Sequence, residues 1–244
     1  MNLIIPIASG SNFFKIEEFG YPKPLIEIMG RPMIQHVIEN IVKGIEFKKI
    51  IFIVRQDDCE KYHLDQTLNL LSPIPPIIVK VRGETQGALC SVLLAIDHIY
   101  DDEPLIIANA DQIFDGGVAE EISSFISGPL DAACLAFNSV HPRWSYVRLN
   151  QDGNVVEAAE KRPISRNAIA GLYCYKSGIE FVKNSMSSIK NGSSIEGKYF
   201  ISPVFNEYVL AGKSVGCFLI DNQRYHSFYT PQKIYEYEQA HSRV

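Results

Sequence analysis

The chain has 244 residues, 46% of them hydrophobic and 21% charged, with a formal net charge of −5. That length can bury a substantial core and that composition argues against disorder, so a single domain over residues 1–244 is expected. An acidic balance without a basic tail argues against a nucleic-acid partner, while a local positive cleft for an anionic small molecule stays compatible with it.

The five cysteines, Cys59, Cys90, Cys134, Cys174 and Cys217, are scattered and odd in number. Most sit inside apolar runs, as buried free thiols in a reducing compartment do. No signal-peptide pattern and no apolar stretch of membrane-spanning length is seen, so no membrane partner is expected and the cytoplasm is the expected location.

In chain order, residues 2–8 read as a strand, and the loop Ala8-Ser9-Gly10-Ser11-Asn12 follows it. Its small residues offer accessible N–H groups that can hold phosphate oxygens, although by themselves they read first as a tight turn. In Gly20-Tyr21-Pro22-Lys23-Pro24-Leu25 two prolines flank Lys23 and restrict the backbone around it, so that its ammonium can be aimed from a loop. Met33, Val37, Ile38 and Ile41 mark a helix over 32–42.

Strands are expected at 49–54, 77–81 and 104–108, with a helix over 87–99 marked by Leu89, Val92, Leu93 and Ile96. This alternation predicts a mostly parallel sheet covered on both faces, with ligands beyond the carboxyl ends of its strands. Segments 8–24, 82–87 and 109–116 fall at those ends.

Arg82-Gly83-Glu84-Thr85-Gln86-Gly87-Ala88 can meet a base and ribose, or can simply cap the helix. In Asn109-Ala110-Asp111-Gln112 the Asp111 carboxylate is a hard ligand suited to magnesium, or a turn residue. With Lys23 coming from another strand end, the metal reading overtakes the turn reading.

Beyond residue 130 the rhythm changes to strands at 132–137, 146–149, 155–159 and 168–175, an antiparallel or mixed extension with a hairpin turn at Asn150-Gln151-Asp152-Gly153. Glu160-Lys161 ends the hairpin, where Lys161 can neutralise a second substrate's phosphate or form a solvated charge pair with Glu160. Helices are expected at 178–189, 203–210 and 231–241, and a strand at 214–220. Ser202-Pro203 reads as a helix start, His226 near Asp221 as a rim residue, and Trp144, Tyr225, Phe228 and Tyr229 as packing.

Taken together these segments resemble the sugar-nucleotide pyrophosphorylase family of nucleotidyltransferases. The likeness rests on Pro22-Lys23-Pro24-Leu25-Ile26 followed by Gly30-Arg31-Pro32-Met33-Ile34, then Gly83 with Thr85-Gln86-Gly87-Ala88, Asn109-Ala110-Asp111, Glu160-Lys161, Gly171-Leu172-Tyr173 and Thr230-Pro231, in family order over nearly the whole chain. It implies a Rossmann-like α/β domain of the GT-A-like nucleotidyltransferase type, which joins a nucleoside triphosphate to a sugar phosphate or similar acceptor and releases pyrophosphate.

By that resemblance Lys23 and the N–H groups of residues 8–12 stabilise the phosphates. Glu84, Gln86, Gly87 and Asn109 border the nucleotide, Glu160, Lys161 and Gly171 the acceptor, and Asp111 holds Mg2+. The family's loop arginine is replaced by Asn12, with Lys15 a nearby substitute. The family's late metal-binding carboxylate is replaced by Ser227, with Asp221 as the substitute ligand.

The length fits compact members of capsule or lipopolysaccharide precursor synthesis, among which CTP is the favoured donor; a homo-oligomer is left open. Two other functions compete. One is a catalytically impaired nucleotide-binding homologue, motivated by Asn12 and Ser227. The other is a glycosyltransferase, which would need an acidic pair where this chain has Asn109-Ala110-Asp111.

Overall fold

The computed structural model describes residues 1–10 and 13–241. The first apolar run becomes the strand Asn2–Pro6, in which Leu3, Ile4 and Ile5 are wholly buried. Burial of consecutive residues on both faces requires helices above and below the sheet. Lys49–Arg55 and Leu105–Ala108 flank this strand in parallel, and Ile77–Val81 continues the row beyond Lys49–Arg55.

Helices fill the connections. Met33–Val42 lies in the connection from Asn2–Pro6 to Lys49–Arg55, and buries Met33, Val37, Ile38 and Ile41. Gln56–Tyr62 and Leu64–Leu71 lead to Ile77–Val81. The helix expected over 87–99 is two helices, Ala88–Leu93 and Ile96–Ile99. The N–H groups of Leu94 and Ala95 donate to carbonyls three residues back, on Ser91 and Val92, and this tightening ends the first helix.

The second half of the chain extends the sheet to nine strands. Asn167–Tyr175 runs antiparallel to Leu105–Ala108, to Tyr146–Leu149 and to Ala132–Asn138. Val215–Leu219 adds a parallel edge against Ala132–Asn138, and Val155–Ala159 forms a hairpin with Tyr146–Leu149. In the hairpin turn Asn150 Oδ1 accepts from the N–H groups of Asp152 and Asn154. The architecture is thus the expected one: a parallel half, a mixed antiparallel extension, and helices on both faces.

Two apolar layers lie on opposite sides of this sheet. One gathers Phe52, Ile106 and the Met33–Val42 helix, the other Leu89, Val92, Tyr175, Phe181, Phe205 and Tyr208. All five cysteines are free, with Cys59, Cys134 and Cys174 buried. No helix among the described residues is long and apolar enough to cross a membrane.

Candidate active site

Lys23 opens the short 3-10 turn Lys23–Leu25, with Pro22 ahead of it in an extended conformation and buried Pro24 behind it. The ring constraints fix the direction in which the side chain leaves the backbone. Its Nζ lies 2.5 Å from Asp111 Oδ2. Side-chain exposure is 18% for Lys23 and 24% for Asp111, so the pair is shielded while still open to a ligand. The ammonium also lies 5.3 Å from the Phe14 ring centre and 5.7 Å from that of Tyr229.

Asp111 follows the strand Leu105–Ala108 at its carboxyl end and is held there by backbone bonds. Asn109 N–H donates to Gly171 O at 2.9 Å, and Phe228 N–H donates to Asp111 O at 2.7 Å. A two-stranded ladder, Gln112–Phe114 against Tyr225–Ser227, then sets Ser227 opposite Gln112. Ser227 is therefore a neighbour of Asp111 in space.

Beneath the pair, the Tyr225 hydroxyl donates to Gln112 Oε1 at 3.1 Å. Burial, with the nearby Asp111 charge, pushes the Tyr225 phenol far above its ordinary range, so it stays a neutral donor. Gly171 has φ +65°, and a Cβ there would strike the side chains of Asn109 and Gln112. Glycine allows the strand to approach Asp111's loop this closely.

The 82–87 loop is pinned by backbone contacts. Tyr199 N–H donates to Gln86 O at 2.7 Å, and Leu89 N–H donates to Tyr199 O at 3.1 Å. Thr85 Oγ1 lies 2.6 Å from Ser91 Oγ. Glu84 and Gln86 are exposed, Ala8 is half-buried, and Ser9 and Gly10 are exposed. Ser11 and Asn12 lie outside the described residues. Lys15 is exposed and sits 3.9 Å from Glu18.

Glu160 and Lys161 engage different surroundings. Glu160 Oε2 accepts from the hydroxyls of Ser145 and of Ser202, the latter at 2.9 Å. Burial pushes its carboxyl above the usual range, against the pull of those hydroxyls. Ser202 is therefore more than a helix start: it is wholly buried and donates to the Glu160 carboxylate. Lys161 Nζ lies 5.3 Å from the Phe200 ring centre and 3.7 Å from Glu196. Asp221 Oδ1 accepts from Gln223 N–H at 2.8 Å, while His226 Nε2 lies 3.0 Å from Asp115 Oδ2.

The profile of the family described as nucleotidyl transferase matches residues 19–226. The chain belongs to the nucleotidyl transferase family. The bifunctional protein GlmU of Methanocaldococcus jannaschii is 30% identical over 154 residues, 62% of this chain and 34% of that one. The UTP–glucose-1-phosphate uridylyltransferase AglF of Haloferax volcanii is 23% identical over 208 residues, 83% of this chain and 81% of that one.

The matches to GlmU proteins span 34% to 48% of those relatives' length. A nucleoside-diphosphate-sugar pyrophosphorylase from Vibrio cholerae has the same fold, with a TM-score of 0.86 at 20% identity over 97% of this chain and 99% of that one.

At this candidate site the donor set suits magnesium only with added oxygen ligands such as phosphates and water. Among the described residues no three of His, Cys, Asp or Glu are grouped to hold a metal. Asp111 supplies a hard carboxylate, with Ser227 one ladder position away, and magnesium commonly binds through one or two carboxylates plus phosphates and water. The residues present fit that mode.

Three side chains at the site carry no sequence signal. Arg55 ends the strand Lys49–Arg55, and a Cβ built on Gly10 would lie 3.9 Å from its Nη1. Tyr229 is 39% exposed and packs on Phe13 at 5.1 Å between ring centres, so the packing expected of it occurs at the surface rather than within the core. Arg143 stacks on Trp144 and reaches the Tyr229 ring. Only their place relative to a strand end or to Lys23 reveals them.

Proposed function

We propose that this chain transfers a nucleotidyl group from a nucleoside triphosphate to a sugar phosphate or similar small phosphorylated acceptor, releasing pyrophosphate. The observation that carries this reading is the Lys23–Asp111 pair at the carboxyl end of a parallel strand, inside the family match. The acceptor's phosphate oxygen attacks the α-phosphorus in line, so no protein nucleophile is required. Lys23 neutralises charge gathering on the phosphates, and its shielded setting strengthens that interaction.

Asp111, with Ser227 beside it, holds Mg2+ in this reading; when bound, the metal orients the triphosphate and adds Lewis-acid stabilisation. Asp221 is retained as a further ligand in the proposal, although its carboxylate caps the 222–224 turn. Residues 8–12, Glu84, Gln86, Gly87 and Asn109 serve the nucleotide, and Glu160, Lys161 and Gly171 the acceptor. CTP is kept as the proposed donor from the resemblance to compact cytidylyltransferases, whereas the likeness to the Haloferax uridylyltransferase favours UTP. A precursor-synthesis role in the cytoplasm belongs to the same proposal.

The test is to incubate the protein with magnesium, each nucleoside triphosphate and a panel of phosphorylated acceptors, recording pyrophosphate and product mass. Turnover with at least one pair is expected. Nucleotide binding without turnover across the panel would favour the impaired homologue that Ser227 motivates. With an active pair in hand, Lys23→Ala is expected to lower kcat about 10²–10³-fold with an unchanged circular-dichroism spectrum. Retained kcat would remove the role given to Lys23.

A further inference from the structure

Arg148, Arg162 and Arg224 each pair with a glutamate, but no ion pair among the described residues includes Arg143. Its guanidinium stacks 4.2 Å from the Trp144 ring centre. Its Nε is buried and has no hydrogen-bond partner among the described residues. A guanidinium over an aromatic face can still present its two Nη groups to two oxygens of a phosphate, although its Nε is buried.

Its position is equally informative. Arg143 and Lys23 both contact the Tyr229 ring, at 5.2 and 5.7 Å from its centre. Arg143 lines a cavity of about 570 Å³ whose wall also contains Trp144, Tyr225 and Ser227, the neighbour of Asp111. The cavity carries a further cation, Lys233, facing the acid Glu236.

We propose that Arg143 grips the phosphate of the acceptor, an inference that rests on the transfer reaction above. A phosphate in that place has two sources, the acceptor and the tail of the triphosphate. Connectivity favours the acceptor. Lys161 N–H donates to Trp144 O at 3.0 Å, and Ser145 donates to Glu160, so the Arg143 segment is tied to the acceptor-side pair. The segments assigned to the nucleotide, 8–12 and 82–87, follow strands of the parallel half.

Kinetics of wild type, Arg143→Ala and Arg143→Lys, with acceptor and triphosphate varied separately, test this. Arg143→Ala is expected to raise KM for the acceptor about 10- to 100-fold with KM for the triphosphate unchanged, and Arg143→Lys to fall between. A rise confined to the triphosphate would overturn the assignment, as would no change in either. Melting temperatures of both variants show that they are folded.

A second readout separates this from failure of the reaction itself. Inorganic phosphate, titrated against each protein by ³¹P NMR, is expected to bind about tenfold more weakly to Arg143→Ala than to wild type. Equal binding would overturn the grip. Absence of turnover in wild type would instead sink the proposed reaction, leaving the phosphate titration to decide on Arg143.

Discussion

Glu160 is an acid whose ionisation the fold opposes. Burial raises its carboxyl above the ordinary value, and the hydroxyls of Ser145 and Ser202 offset only part of the cost. An acid with a raised folded-state pKa penalises folding when ionised, and the penalty is relieved as pH falls through that pKa toward the unfolded value. Relative to Glu160→Gln, wild type should therefore gain melting temperature as pH falls from neutral toward the ordinary carboxyl range. A pH-independent difference between the two would show that Glu160's charge is not opposed. Lys23 was legible from its flanking prolines, because a restricted backbone is a local property. Arg143 and Tyr229 were not, because what defines them is contact with Lys23 and Trp144 across long sequence separations.

Short elements held by distant partners are the ones that escape a reading of the chain. The strands Gln112–Phe114 and Tyr225–Ser227 have three residues each, too few to display a period of two. Gln56–Tyr62 buries only Asp58 and Cys59, and so lacks an apolar stripe to announce it. Ala119–Ser127 shows only Ile122 and Phe125 as buried anchors in a polar run. The ladder nevertheless bears on the proposed metal site, since its register sets Ser227 against Gln112 next to Asp111. Restoring a carboxylate with Ser227→Asp should lower the magnesium concentration for half-maximal rate roughly tenfold, because added ligand charge tightens binding of a hard cation. An unchanged magnesium requirement would place the metal away from residue 227.

At the scale of the whole molecule, one nine-stranded sheet carries two apolar layers, and the proposed site sits where the parallel half meets the antiparallel extension. Phe205 anchors the second layer against Tyr173 and Tyr175, with ring centres 6.0 and 5.6 Å away. Phe205→Ala should cost about 3–5 kcal/mol in urea unfolding, the range for emptying an aromatic site in a packed core. A loss below 1 kcal/mol would mean that the layer closes over the gap. The sequence by itself determined the strand and helix alternation, most strand limits, the α/β class and the order of the family's segments, because hydrophobic period and turn residues act over a few positions. Tertiary structure alone decided that Asn167–Tyr175 serves three neighbouring strands, that Ser227 stands beside Asp111, and that Arg143 shares a ring with Lys23. Those are pairings between residues far apart in the chain, and chain closure fixes them only when the whole sheet assembles.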